Sequence, residues 1–178
     1  GVRDIYSREC EQKLLLQRRL HDVIKSYGYR DIETPTFEYF DVFGKEIGTI
    51  PSRELFKFFD REGETLVLRP DFTPSVARAA AKYFLNENMA VRLTLRETTQ
   101  IGGELIGDDS ADADAEVIAL VVQLLLSSGL REFQISIGHA GIFRALAEEA
   151  GFDEPVTNEL KELITNKNTF GAEKLLSD

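Results

Sequence analysis

"ELFKFFDREGETLVLRPDFTPSVAR", Glu54 to Arg78, holds a strand, a turn, a second strand, a polar corner and a helix in one run. "ELFKFFD" and "ETLVLRP" flank Arg61-Glu62-Gly63, and that spacing predicts an antiparallel hairpin. Pro70 stops the second strand. From Thr73 to about Phe84 the period changes. Val76, Ala80 and Tyr83 recur at spacings of four and three, as on one face of a helix. Thr73 is the expected N-cap, with Pro74 at the favoured first position. Arg69, Asp71 and Thr73 place a cation, a carboxylate and a hydroxyl where a core strand ends.

Working outward, residues from about Ser7 to Tyr27 carry Leu16, Leu20, Val23, Ile24 and Tyr27 at helical spacing, and Gly28 is placed to end that helix. "YRDIETP" reads as a short strand stopped by Pro35. "AVRLTL" and "TTQIGGELIG" predict further strands. Asp109 or Ser110 caps a helix running to Ser128, with Val117, Val121, Leu124 and Leu125 on its inner face and Gly129 at its end. In "EFQISIG", Phe133, Ile135 and Ile137 alternate as in a half-buried strand, and helices follow. Adjacent strands mixed with helices, without strict alternation, predict an α+β fold around an antiparallel sheet flanked by helices.

With 178 residues, one domain is expected, and the ends read like the interior of a longer protein. About 43% of residues are apolar and 29% charged, and the net charge is −10. That balance suits a soluble protein and argues against neutralising a nucleic-acid backbone. Cys10 is the single cysteine and His21 and His139 are the two histidines, so neither a disulfide nor a metal site is expected. No apolar run approaches the roughly 18 residues a bilayer span needs, and nothing reads as a signal peptide, so the cytoplasm is the expected location.

The sequence lacks GxxxxGK[ST], GxGxxG, HExxH and GxSxG. Two polar clusters interrupt apolar strands instead. One is Arg69, Asp71 and Thr73. In the other, Gln100, Gly102 and Glu104 alternate, so on a strand they share a face, with glycine leaving room between the polar side chains. Two carboxylates, an amide and a hydroxyl around a hollow suit an α-ammonium group. The plain alternatives stay open: Asp71 as a cap of the next helix, and Gln100 and Glu104 facing water. His139 reads as ordering the corner at "GHAG", and Asp108, Asp109, Asp112 and Asp114 as a solvated loop leading into helix N-terminal acids.

Several stretches together resemble a known family: "GVRDIY" at Gly1, "YGYRDIETPTFE" at Tyr27, "TLVLRPDFTPSVAR" at Thr65, "RETTQIGGELIG" at Arg96, "DAEVIAL" at Asp114 and "FQISIGHAGIFRAL" at Phe133. The chain is similar to the catalytic core of histidyl-tRNA synthetases, which are class II aminoacyl-tRNA synthetases. It is more similar still to their paralogues, the regulatory subunits of ATP phosphoribosyltransferase. "RPDFTP", with Asp71 where synthetases usually carry glutamate, and "GTIPSRELFKFFD" carry the second likeness. The resemblance implies histidine binding by Asp71, Thr73, Gln100 and Glu104. It also implies a homodimer within a hetero-oligomer, with the catalytic transferase as partner and histidine as effector. No catalytic residue and no cofactor is expected, because "AVRLTLRETTQ" passes almost directly between strands. The arm that carries the family's ATP-gripping arginine is missing, and the third motif would lie beyond Asp178. The alternative implied is histidyl-tRNA synthetase itself, ligating histidine to tRNA.

Overall fold

The computed structural model describes residues 3–43, 51–97 and 100–177. Of the stretches just quoted, Gly1, Val2, Gly48 to Ile50, Thr98 and Thr99 lie outside the described residues. The chain divides into two compact units, Gly1–Glu132 and Phe133–Asp178.

The first unit starts with helix α1, Ser7–Ser26. It ends as its glycine predicts: Gly28 takes φ +83° and its N–H donates to the Lys25 carbonyl. Only the last turns of its apolar stripe are inside. Ile24 is buried, with Val23 and Tyr27 against it, while Leu16 stays 39% exposed. Strand β1 (Arg30–Asp31) follows, then β2 (Phe37–Tyr39), a single helical turn α2 (Phe40–Phe43), β3 (Lys57–Phe59) and β4 (Thr65–Leu68). β2, β4 and β3 form an antiparallel sheet in that order. The turn between β3 and β4 is built by Asp60, whose Oδ1 accepts the N–H groups of Glu62 and Glu64 at 3.0 and 2.8 Å, with Gly63 at φ +90°.

Helix α3 spans Thr73–Tyr83, β5 Val91–Glu97, β6 Gln100–Ile106 and helix α4 Ala111–Ser128. β5 and β6 pair antiparallel from Val91↔Ile106 to Glu97↔Gln100, and β1 adds to the β5 edge in parallel. The α+β expectation holds, with one short parallel strand in an otherwise antiparallel sheet. Its two faces are distinct. Val91, Leu93 and Leu95 pack with Val76, Phe72, Phe84 and Ile106 on the α3 side. Ile101 joins Ile24, Tyr29, Leu120 and Leu124 on the side of α1 and α4.

The start of α4 is capped by Ser110, whose Oγ accepts the Ala113 N–H at 3.2 Å, and Gly129 at φ +104° ends it. Its inner face differs from the expected one. Ala113 and Leu120 are buried and Leu124 packs beside them, whereas Val117 and Val121 are 38% and 40% exposed. The cause is Glu116. Both of its carboxylate oxygens accept from the Arg92 guanidinium on β5, at 2.7 and 2.6 Å, which turns the 113–116–120–124 stripe toward the sheet.

That pair makes a pH prediction. Arg92 holds the Glu116 carboxyl below its ordinary range. A lowered folded-state pKa adds stability above the unfolded pKa, and that stability disappears as pH falls through the folded value. Glu116→Gln is therefore expected to destabilise the protein by about 1 kcal/mol at neutral pH, as a bidentate pair that is partly open to water. The gap to wild type should close in urea titrations repeated at acid pH. An undiminished gap at acid pH would show that the ion pair is not its source.

The second unit holds helices α5 (Ala140–Glu149), α6 (Glu154–Thr165) and α7 (Thr169–Ser177). Asp153 caps α6 through the Val156 N–H, and His139 caps α5, its Nδ1 accepting from the Gly141 N–H at 3.1 Å. Phe133 to Ile137 is not a strand, contrary to its alternation. A strand needs a neighbour to take its backbone groups, and the described elements of this unit are all helical.

Candidate functional site

The polar corner between β4 and α3 is held by Arg69. Its backbone N–H donates to the Thr36 carbonyl at 3.1 Å. One guanidinium nitrogen donates to the carbonyl and the hydroxyl of Thr34, and the guanidinium lies 5.2 Å from the Phe72 ring centre. Asp71 Oδ1 accepts the N–H of the next residue, Phe72, at 2.6 Å.

Thr73 is not the N-cap. That position belongs to Phe72 in a helical conformation, and no side chain caps the turn. The Thr73 hydroxyl instead donates across to Glu104 Oε1 on β6 at 2.7 Å. Thr73 lies one residue inside the helix rather than at the cap, and the proline in the first turn has no N–H to satisfy.

Glu104 is half-buried and stands opposite Leu93 in the ladder, on the α3 side of the sheet. Gly102 shares that face, and a Cβ there would meet nothing within 4 Å. Thr73 and Glu104 line one hollow of about 540 Å³, whose walls include Ala77 and Ala81 of α3, Phe84 and Met89. Gln100 sits four residues along β6, about 13 Å from Glu104 at strand rise. It lines a different hollow, of about 470 Å³, with Lys13, Leu16 and Leu20 of α1. Of the four residues singled out from sequence, the structure thus joins Thr73 to Glu104. Asp71 is two residues upstream on the corner, and Gln100 is at the far end of the strand.

The alanines and Phe84 that wall the hollow were not singled out. Their signal was the run of alanines in α3, which keeps one helix face low enough to leave space. Asp108 Oδ1 accepts the Ser110 N–H, and Ser110 holds the Asp108 carboxyl below its usual range. Among the described residues, no three His, Cys, Asp or Glu side chains are arranged to hold a metal ion. No helix there is long and apolar enough to cross a membrane.

A β5–β6 hairpin floored by α1 and α4 on one face, with the α3 corner on the other, is a class II synthetase-type sheet. The family model described as histidyl-tRNA synthetase matches residues 1–178, and the chain belongs to that family. It is 40% identical to an ATP phosphoribosyltransferase regulatory subunit of Ruminiclostridium cellulolyticum, over 99% of this chain and 46% of the relative. It is also 40% identical to the Bacillus subtilis protein of the same name, over 96% of this chain and 47% of that one. A solved structure from Bacillus halodurans, described as an ATP phosphoribosyltransferase regulatory subunit/histidyl-tRNA synthetase, superposes with a TM-score of 0.87 at 34% identity, over all of this chain and 50% of that one. The chain spans about half the length of the curated relatives it matches.

Proposed function

We propose that this chain is the synthetase-like part of a regulatory subunit of ATP phosphoribosyltransferase. The observation that carries this reading is the 40% identity to a protein of that name over 99% of the chain. The subunit has no catalytic residue of its own and works in the cytoplasm. It pairs with the catalytic transferase as a homodimer within a hetero-oligomer, and it responds to free histidine. Histidine exerts control by binding one assembly state more tightly than another.

Two features support a binding role over an activating one. In the sequence, two residues separate the end of β5 at Glu97 from the start of β6 at Gln100. The alignment with the Ruminiclostridium protein runs over 192 positions, 14 more than this chain has residues, so that relative carries extra residues within the matched stretch. We place the shortage at this hairpin tip, where the family's ATP-gripping arm belongs. Without that cation the sheet has less to offer the negative charge of an activated phosphoryl group. Meanwhile the carboxylate suited to an ammonium group is present. Glu104 takes the ammonium while Thr73 orients its carboxylate. Gln100 and Asp71, which line neither wall of this hollow, are left to secondary roles in holding the ligand.

The test is co-purification of the full polypeptide with the catalytic transferase, with transferase turnover measured with and without histidine. Co-elution and histidine-dependent inhibition are expected. Histidine-dependent pyrophosphate exchange and tRNA charging would instead identify a histidyl-tRNA synthetase. In calorimetry, Glu104→Ala is expected to weaken histidine binding about 10- to 100-fold, the worth of one charge-assisted hydrogen bond. Unchanged affinity would remove Glu104 from the site.

A further inference from the structure

A separate hollow, of about 410 Å³, opens where α1, β1, the corner after β4 and the end of β5 meet. It shares no lining residue with the hollow at Thr73 and Glu104. Two arginines line it, Arg69 and Arg96. Arg69 is fixed in place by the Thr34 carbonyl and hydroxyl and by the face of the Phe72 ring, 5.2 Å away. Arg96 stands exposed near the end of β5. The Thr34 hydroxyl, also in the lining, accepts from Arg69 and so keeps its own proton to give. Two guanidinium forks and a hydroxyl offer more donors than the two oxygens of a carboxylate need. A phosphoryl group presents three acceptor oxygens and up to two negative charges, and guanidinium matches it in geometry.

The carboxylates in the lining have a different part. Asp31 is matched already: its Oδ1 lies 2.6 Å from His21 Nε2, and its Oδ2 accepts from Lys25 Nζ at 2.9 Å. Glu33 is exposed, and beside a phosphoryl group a carboxylate can only accept, which makes it a partner for hydroxyls. The hollow also exceeds what a bare phosphate needs, since 410 Å³ lies in the range of roughly 300–1,000 Å³ typical of small-molecule sites.

We infer that this hollow binds a phosphate monoester carried on a small hydroxylated body. Arg69, Arg96 and Thr34 hold the phosphoryl oxygens, and Glu33 accepts from the hydroxyls of the body. The inference is independent of the histidine-binding reading.

Calorimetric titration of the full polypeptide, in buffer free of phosphate, sulfate and histidine, tests this with three probes: glucose 6-phosphate, inorganic phosphate and glucose. Glucose 6-phosphate is expected to bind at least about tenfold more tightly than phosphate and about 100-fold more tightly than glucose. Arg96→Gln changes an exposed side chain and should weaken both phosphate probes about 10- to 100-fold. Glu33→Gln should weaken glucose 6-phosphate alone, because inorganic phosphate brings no hydroxylated body to it. Glucose binding as tightly as its phosphate would overturn the inference by showing that the phosphoryl group is not read. Inorganic phosphate binding as tightly as the ester would overturn it as well, because the body would then contribute nothing. Silence from both phosphate probes, or unchanged affinities in Arg96→Gln, would remove the site altogether.

Discussion

Gly103→Ala is expected to destabilise the first unit by about 1–3 kcal/mol, the range of core overpacking, and Gly103→Val by more. A Cβ at Gly103 would lie 2.6 and 2.8 Å from two carbons of the Tyr29 ring. Contacts under 3 Å between carbons are repulsive, so something must move. The ring has little room to do so. Tyr29 is 1% exposed and packs with Ile24 of α1 and Leu120 of α4, so shifting it disturbs both helices. Gly102, next along β6, is the built-in control: its Cβ would meet nothing, and Gly102→Ala should leave stability nearly unchanged.

The same site separates ring from hydroxyl. Tyr29 Oη is buried without a hydrogen-bond partner among the described residues, and burial pushes its pKa up. Tyr29→Phe should therefore be near neutral, because no hydrogen bond is lost. Tyr29→Ala should cost about 3–5 kcal/mol by opening a cavity, yet adding Gly103→Ala on top should then cost little. The protein has no tryptophan and five tyrosines, so tyrosine fluorescence in urea reads the transition directly. Additive losses in the double variant would show that the glycine is not there for the ring.

What the sequence disclosed and what it hid divide along chain separation. Gly28, Gly129 and the turn at Arg61-Glu62-Gly63 act on backbone a few residues away, so they were legible before the fold was known, whereas the choice of Ser110 over Asp109 as cap and the part Asp60 plays in the turn came from the structure. The β5–β6 pairing followed from two adjacent strand-like runs with almost nothing between them. Partners chosen across the fold were not legible. Thr73 meets Glu104 across 31 residues, and it sits one residue inside the helix rather than at the cap that local pattern assigned to it. The inner face of α4 was set by Arg92, 24 residues before Glu116. For the candidate site, alternation put Gln100 and Glu104 on one face. Gln100 is the terminal residue of its strand, however, and lines a hollow with α1 instead. Alternation in "EFQISIG" described two faces but could not supply the neighbouring strand that a ladder requires.

The second large effect is expected at Arg78, which lies on α3 one turn beyond Thr73. Its Nη2 and Nε both donate to Glu38 Oε1 on β2, at 2.8 and 3.3 Å. The partners are unequally placed: Glu38 is 4% exposed and the Arg78 side chain 33%. Removing the arginine strands the more deeply buried charge. Arg78→Met is therefore expected to cost about 3 kcal/mol, the low end for a broken buried pair because the cation is partly hydrated already. The penalty belongs to the orphaned carboxylate rather than to the lost attraction. The double variant Glu38→Leu/Arg78→Met should then recover most of it, since apolar isosteres of a buried pair are often tolerated. Arg78→Lys should recover only part, because an ammonium is a point charge without the guanidinium fork. The pair also ties the β2-β4-β3 sheet to the helix whose first residue carries the Thr73 hydroxyl. Histidine titration of a still-folded Arg78→Lys is thus expected to show weaker binding, without any change at Glu104 itself. If Arg78→Met unfolds in urea with the wild-type midpoint, Glu38 is tolerated without its partner and this account of the joint is wrong.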